Sequence, residues 1–130
     1  MDTDIKNNLL FYEPIRKNYD LEVRTFEFAK RVRDFVKKVK YTIPNSEDIK
    51  QLIRSSGSIG ANYIEANGAL GKKDFLMHIK ISKKESKESH YWLRLIDIEN
   101  NKILQSTKES LINEAQELVK IFGSIINKTT

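Results

Sequence analysis

The sequence predicts an all-α fold, an up-down-up-down four-helix bundle. Three observations carry that expectation. Apolar residues recur at helical spacing in four long stretches, and no stretch shows the alternation of period two that a half-buried strand requires. Short polar or glycine-bearing breaks separate the stretches, which places consecutive helices antiparallel. Only 5 Gly and 2 Pro occur in 130 residues, too few for a turn-rich β-sandwich or barrel. A chain of this length forms one domain, with a lead-in over residues 1–18 and a bundle over residues 19–128.

The first helix is expected from Tyr19 to Lys40. Leu21, Phe28, Ala29, Val32, Phe35, Val36 and Val39 share one of its faces at ~100° per residue. Pro44 ends it, and Asn45 or Ser46 caps the second helix, with Glu47 and Asp48 in the first turn where the helix dipole favours acids. The second helix runs to about Ala66, with a core face of Ile49, Leu52, Ile53, Ser56, Ile59, Gly60, Tyr63 and Ile64. Gly57 and Gly60 each cost ~1 kcal/mol against alanine in a helix interior, which implies a close neighbour. Gly68-Ala69-Leu70-Gly71 breaks the helix.

The third helix, expected from Lys72 to Asn100, turns Phe75, Ile79, Ser82, Ser86, Ser89, Leu93 and Ile96 inward. Its small serines predict a close approach by helix two at Gly57 and Gly60. The fourth opens on Ser106-Thr107-Lys108-Glu109, an S-x-x-E capping box. It continues through Leu111, Ile112, Ala115, Leu118, Val119, Phe122, Ile125 and Ile126, a continuous core stripe.

Composition excludes several function classes. Cysteine is absent, so disulfides, thiolate metal sites and cysteine nucleophiles are ruled out. The 39% hydrophobic and 32% charged fractions fit a soluble globular chain. No charged-then-apolar leader opens the sequence and no apolar run approaches membrane-spanning length, so the expected compartment is the cytoplasm, with no membrane partner.

The net charge of +5 is unevenly placed. Residues 16–40 hold nine basic and four acidic side chains, and residues 72–94 hold seven and three. On helix three Lys80, Lys83, Lys84, Lys87 and Arg94 share one arc with Tyr91, while Glu85 and Glu88 fall to its other side. Aligned cations with one aromatic form a track for a phosphate backbone, the ring being available to a base. The basic face of helix one is interrupted by Glu27 and Asp34 and reads as solvated surface.

Apolar surface is in excess for a lone bundle. Met77, Ile81, Trp92 and Leu95 form a second stripe on helix three, and Phe26 lies off the core face of helix one. The outward face of helix two, Ser55, Ser58, Ala61 and Asn62, is small and uncharged. These residues predict a homo-oligomer interface. Alternatively, the lead-in, with Leu9, Leu10, Phe11 and Tyr12, folds back over one of the stripes.

No catalytic centre emerges, and the chain is expected to be neither an enzyme nor a cofactor binder. Asp74 and His78 stand four residues apart and supply two metal ligands at most; His90 is too far along the helix to join them. Gly68 to Lys73 fails the phosphate-loop spacing at Ala66 and Lys73. Glu65 is the one carboxylate between Ser55 and Gly71, and is expected to be hydrogen-bonded or ion-paired in a packed interface.

The stretch Leu52–Ile96, with YDLEVRTFEFAKRVRDFV before it, resembles the bacterial four-helix-bundle family encoded in intervening sequences of large-subunit ribosomal RNA genes. Ser55 to Asn67 is its most specific part, and the resemblance covers about Tyr19 to Lys128. It implies assembly into a ring, typically a homopentamer. The chain is also similar to the accessory protein of diversity-generating retroelements, a basic pentamer that binds nucleic acid and a reverse transcriptase. Two readings follow. One is an oligomeric protein that binds RNA or DNA without sequence specificity through Lys80, Lys83, Lys84, Lys87, Tyr91 and Arg94. The other is an oligomeric protein–protein adaptor, for example to a reverse transcriptase, with no direct nucleic-acid role.

Overall fold

Four amphipathic helices build the described chain, and each buries the stripe that its periodicity marks. The structure is a computed structural model that describes the backbone of residues 13–130 and the side chains from residue 21 onward. The apolar lead-in residues Leu9 to Tyr12 lie outside the described residues. The helices are α1 (Glu13–Val36), α2 (Ile43–Asn67), α3 (Lys72–Leu95) and α4 (Lys102–Thr129). α1 packs on α2, α2 on α3, α3 on α4, and α4 closes back on α1. This is the expected up-down-up-down bundle.

The core holds Phe28, Val32 and Phe35 of α1, Leu52, Ile59 and Tyr63 of α2, Ile79 and Leu93 of α3, and Leu111, Leu118 and Phe122 of α4. Burying each such side chain contributes about 1.5–3 kcal/mol. Tyr63 and Phe122 meet as tilted rings with centroids 6.0 Å apart. At the sparser α1–α4 seam, Arg24 holds Glu114 through Nε at 2.7 Å and Nη2 at 3.0 Å.

The helix ends differ from the sequence expectation in five places. α1 begins at Glu13, ahead of Tyr19, because Pro14 suits a first turn, where a backbone N–H has no partner to lose. It ends at Val36. α2 is capped by Thr42, whose side chain accepts from the Asn45 backbone N–H at 3.1 Å. Pro44 therefore opens α2 and does not end α1. α3 stops at Leu95 and not Asn100, since Ile96 and Ile98 leave the helix to bury themselves against the core. α4 starts at Lys102, capped by Asn101, so the Ser106–Glu109 box lies inside the helix.

Asn45 has another task than the expected cap. It is 2% exposed and joins the two loops at one end of the bundle. Its Nδ2 donates to the Lys40 and Asp97 carbonyls at 3.2 and 2.8 Å, and its Oδ1 accepts from the Asp97 N–H at 2.9 Å. Beside it, Lys108 Nζ donates to the Ile96 carbonyl at 2.6 Å, placing a cation at the C-terminus of α3.

The serines of α3 are inward, as expected, but their close neighbours are different. Ser89 shares a hydrogen bond of 2.8 Å with Ser55, and Ser82 donates to the Ile59 carbonyl at 2.9 Å. Ser86 donates back to the Ser82 carbonyl at 2.8 Å. Gly60 instead faces α1: a Cβ there would lie 2.8 Å from Thr25 Oγ1. Gly57 meets Arg33, not α3. Ile64, expected in the core, is exposed.

Ser86 is fully buried. Ser86→Leu is expected to destabilise by about 1–3 kcal/mol through overpacking. Chemical denaturation checks this, and an unchanged midpoint would contradict the packing described.

Candidate nucleic-acid interface

Three kinds of surface share α3, because its buried residues, Ile79, Ser82, Glu85, Ser86, Ser89 and Leu93, lie on one side of the helix. Lys80, Lys84, Lys87, Tyr91 and Arg94 are exposed along one side. Lys83 is half-buried and leans over α4, where Gly123 leaves room; a Cβ on Gly123 would sit 3.6 Å from Lys83 Nζ. A shallow groove of about 340 Å³ is lined by Lys80, Lys83, Lys84, Lys87 and Glu88. None of the five cations of this face forms an ion pair among the described residues. The structure thus brings the basic set together with Tyr91 on one face. It corrects one detail: Glu88 borders the groove instead of lying clear of it, and is drawn toward α2 by Arg54 Nη2 at 3.4 Å.

Tyr91 is 53% exposed, with its ring set edge-on against Trp92 at a centroid distance of 5.0 Å. His90 flanks the row, and burial followed by the neighbouring Arg94 holds its pKa below the ordinary value. It therefore adds no charge to the face at neutral pH.

The expected oligomer face is only partly at the surface. Ser55 is fully buried against Ser89, so it cannot meet a partner, and its small size serves helix packing instead. Ala61, Met77 and Leu95 are exposed, and Ser58, Ile81 and Trp92 are half-buried. Asn62 is committed within the chain. Its Nδ2 donates to the Ser58 carbonyl at 3.0 Å, which aims Oδ1 at His78 Nδ1, also at 3.0 Å. The imidazole therefore carries a proton on Nδ1, and Nε2 stands 3.7 Å from Asp74. No group of three or more metal-ligating side chains occurs among the described residues.

Glu65 is exposed in the single chain. The buried carboxylate is Glu85, which lies between Ile81 and Trp92 on the α2-facing side of α3. Its Oε1 has no hydrogen-bond partner among the described residues, with Arg54 Nη1 3.9 Å away. Burial, then the charge of Glu88, pushes its pKa above the usual carboxylate value, against the opposing pull of Arg54 and Lys84. The sequence signal was its place within the second apolar stripe.

Residues 17–124 match the family described as 23S rRNA-intervening sequence protein. The chain belongs to that family. A solved structure titled as a protein with unknown function from the S23 ribosomal protein family of Bacteroides thetaiotaomicron is 34% identical. It covers 85% of this chain and 98% of its own, with a TM-score of 0.72. No curated protein matches the chain. Family membership thus brings the bundle with it, but no activity. Among the described residues no helix is long and apolar enough to cross a membrane.

Glu85 sets a pH dependence of stability. A carboxyl whose pKa rises on folding binds more protons folded than unfolded, between the ordinary value of 4.5 and the raised one. Stability then falls as pH rises through that window. Relative to Glu85→Gln, the wild type is expected to lose stability from pH 4.5 upward, leaving the variant at least as stable at pH 7. Melting curves of both proteins across pH check this, and a wild type that gains on the variant with rising pH would contradict it.

Proposed function

We propose that this protein is a non-enzymatic, oligomeric nucleic-acid-binding bundle that holds RNA or DNA without sequence specificity on the basic face of α3. The observation that carries the reading is the uncommitted charge: Lys80, Lys84, Lys87 and Arg94 are exposed in one row and unpaired among the described residues. Lysines that only solubilise a helix are ordinarily laced with acids at i±3 or i±4. Here the one acid at that spacing from Lys80, Lys84 or Lys87 is Glu88, and it is held by Arg54.

Self-association is the second part of the reading. Ala61, Met77 and Leu95 lie exposed beside half-buried Ile81 and Trp92, an apolar strip that a second copy would cover. A ring of five, as the family resemblance implies, would repeat the basic face and turn weak phosphate contacts into avidity. Lysines and an arginine on phosphates position a strand without reading its bases, so affinity follows charge more than sequence.

Filter binding at low salt tests the function. Wild type is expected to retain RNA and DNA at micromolar protein, with each phosphate contact contributing about 0.7–0.9 to the log–log salt slope. Lys83, Lys84 and Lys87 changed together to Glu should abolish retention while light scattering still shows an oligomer. No retention by the wild type would leave the adaptor reading in first place, and a mass near 15.2 kDa would remove the oligomer.

A further inference from the structure

We infer that the basic face of α3 takes single-stranded rather than duplex nucleic acid, with Tyr91 stacking on an unpaired base. This rests on the reading of that face as a nucleic-acid site and names the form of nucleic acid it fits.

The row is straight and narrow. Lys80, Lys84, Lys87, Tyr91 and Arg94 follow one another at steps of four, three, four and three residues. On an α-helix those steps are about 4.5–6 Å, and the whole row is about 21 Å long. A B-form strand completes a turn in roughly 34–36 Å, so along the row it would rotate by more than half a turn. Its phosphates would face the lysines over only a short part of the track. A flexible single strand has no imposed rotation and can place successive phosphates beside successive cations.

Tyr91 separates the two forms further. Its ring is 53% exposed, and its orientation is braced by the edge contact with Trp92 at 5.0 Å. A braced, exposed ring between Lys87 and Arg94 offers a flat surface at the height of the strand. In a duplex the base faces are covered by their neighbours, so only an unpaired base can use it. Charge alone would bind either form; the ring adds a term that only the single strand collects.

Trp92 is the one tryptophan of the chain and reports on the site. The test is fluorescence anisotropy of the full-length protein with a labelled strand of about 12 nucleotides, within the usual range of such sites, and with the blunt duplex of the same sequence. The single strand is expected to bind more tightly than the duplex and to quench Trp92, which the duplex leaves unchanged. Tyr91→Leu, which keeps an apolar contact with Trp92, should weaken strand binding by roughly 5–100-fold and leave duplex binding as it was. Tyr91→Phe should restore wild-type affinity. A duplex bound as tightly as the strand, with Tyr91→Leu without effect, overturns this inference while the nucleic-acid reading stands. Binding of neither form overturns both.

Discussion

The close seam between α2 and α3 governs the rest of the molecule. It is built from serines: Ser55 and Ser89 share a buried hydrogen bond of 2.8 Å, and Ser82 bonds the Ile59 carbonyl at 2.9 Å. Small side chains let the two helices approach, and the hydroxyls find partners inside the seam. A buried hydroxyl left unmatched would cost about 1–3 kcal/mol, so each bond matters more by its absence than by its net gain. The seam also sets the rotation of α3. With the serines facing inward, Lys80, Lys84, Lys87 and Arg94 are exposed to solvent.

One end of the bundle is held by polar groups. Asn45 joins the α1–α2 and α3–α4 loops, and Lys108 covers carbonyls at the end of α3. On the other flank of α2, Gly60 admits Thr25, whose hydroxyl is already bonded to the Leu21 carbonyl at 2.9 Å. α2 is thus approached closely on both sides, by α1 through a glycine and by α3 through serines. That is why its sequence reads as small and uncharged, a pattern that resembles an interface with another subunit.

How much of this was legible follows from where the determining interaction lies. The four helices and most of their core residues follow from apolar period, a local signal, and family membership agrees with them. The basic row on α3 is equally local, since one helix carries all of it. Ser55 carries no mark of its side in the sequence, because a small neutral side chain has no hydropathic preference; its partner Ser89 is 34 residues away. Asn45 looked like a cap because its real partner, Asp97, is 52 residues away. Ser106–Glu109 is a genuine cap pattern, but Asn101 caps the same helix earlier. The burial of Glu85 is masked by its charge, which by itself signals surface, although the apolar residues around it on α3 signal burial.

These features join in one account: the serine seam fixes α3, and α3 then presents a free cationic row to a polyanion. Lysine footprinting by an amine-reactive reagent, read by mass spectrometry with and without single-stranded nucleic acid, tests it most directly. Protection is expected at Lys80, Lys84 and Lys87, with Lys30, Lys37 and Lys38 of the α1 region remaining reactive. Equal protection of both groups, or none at the α3 lysines, would contradict it.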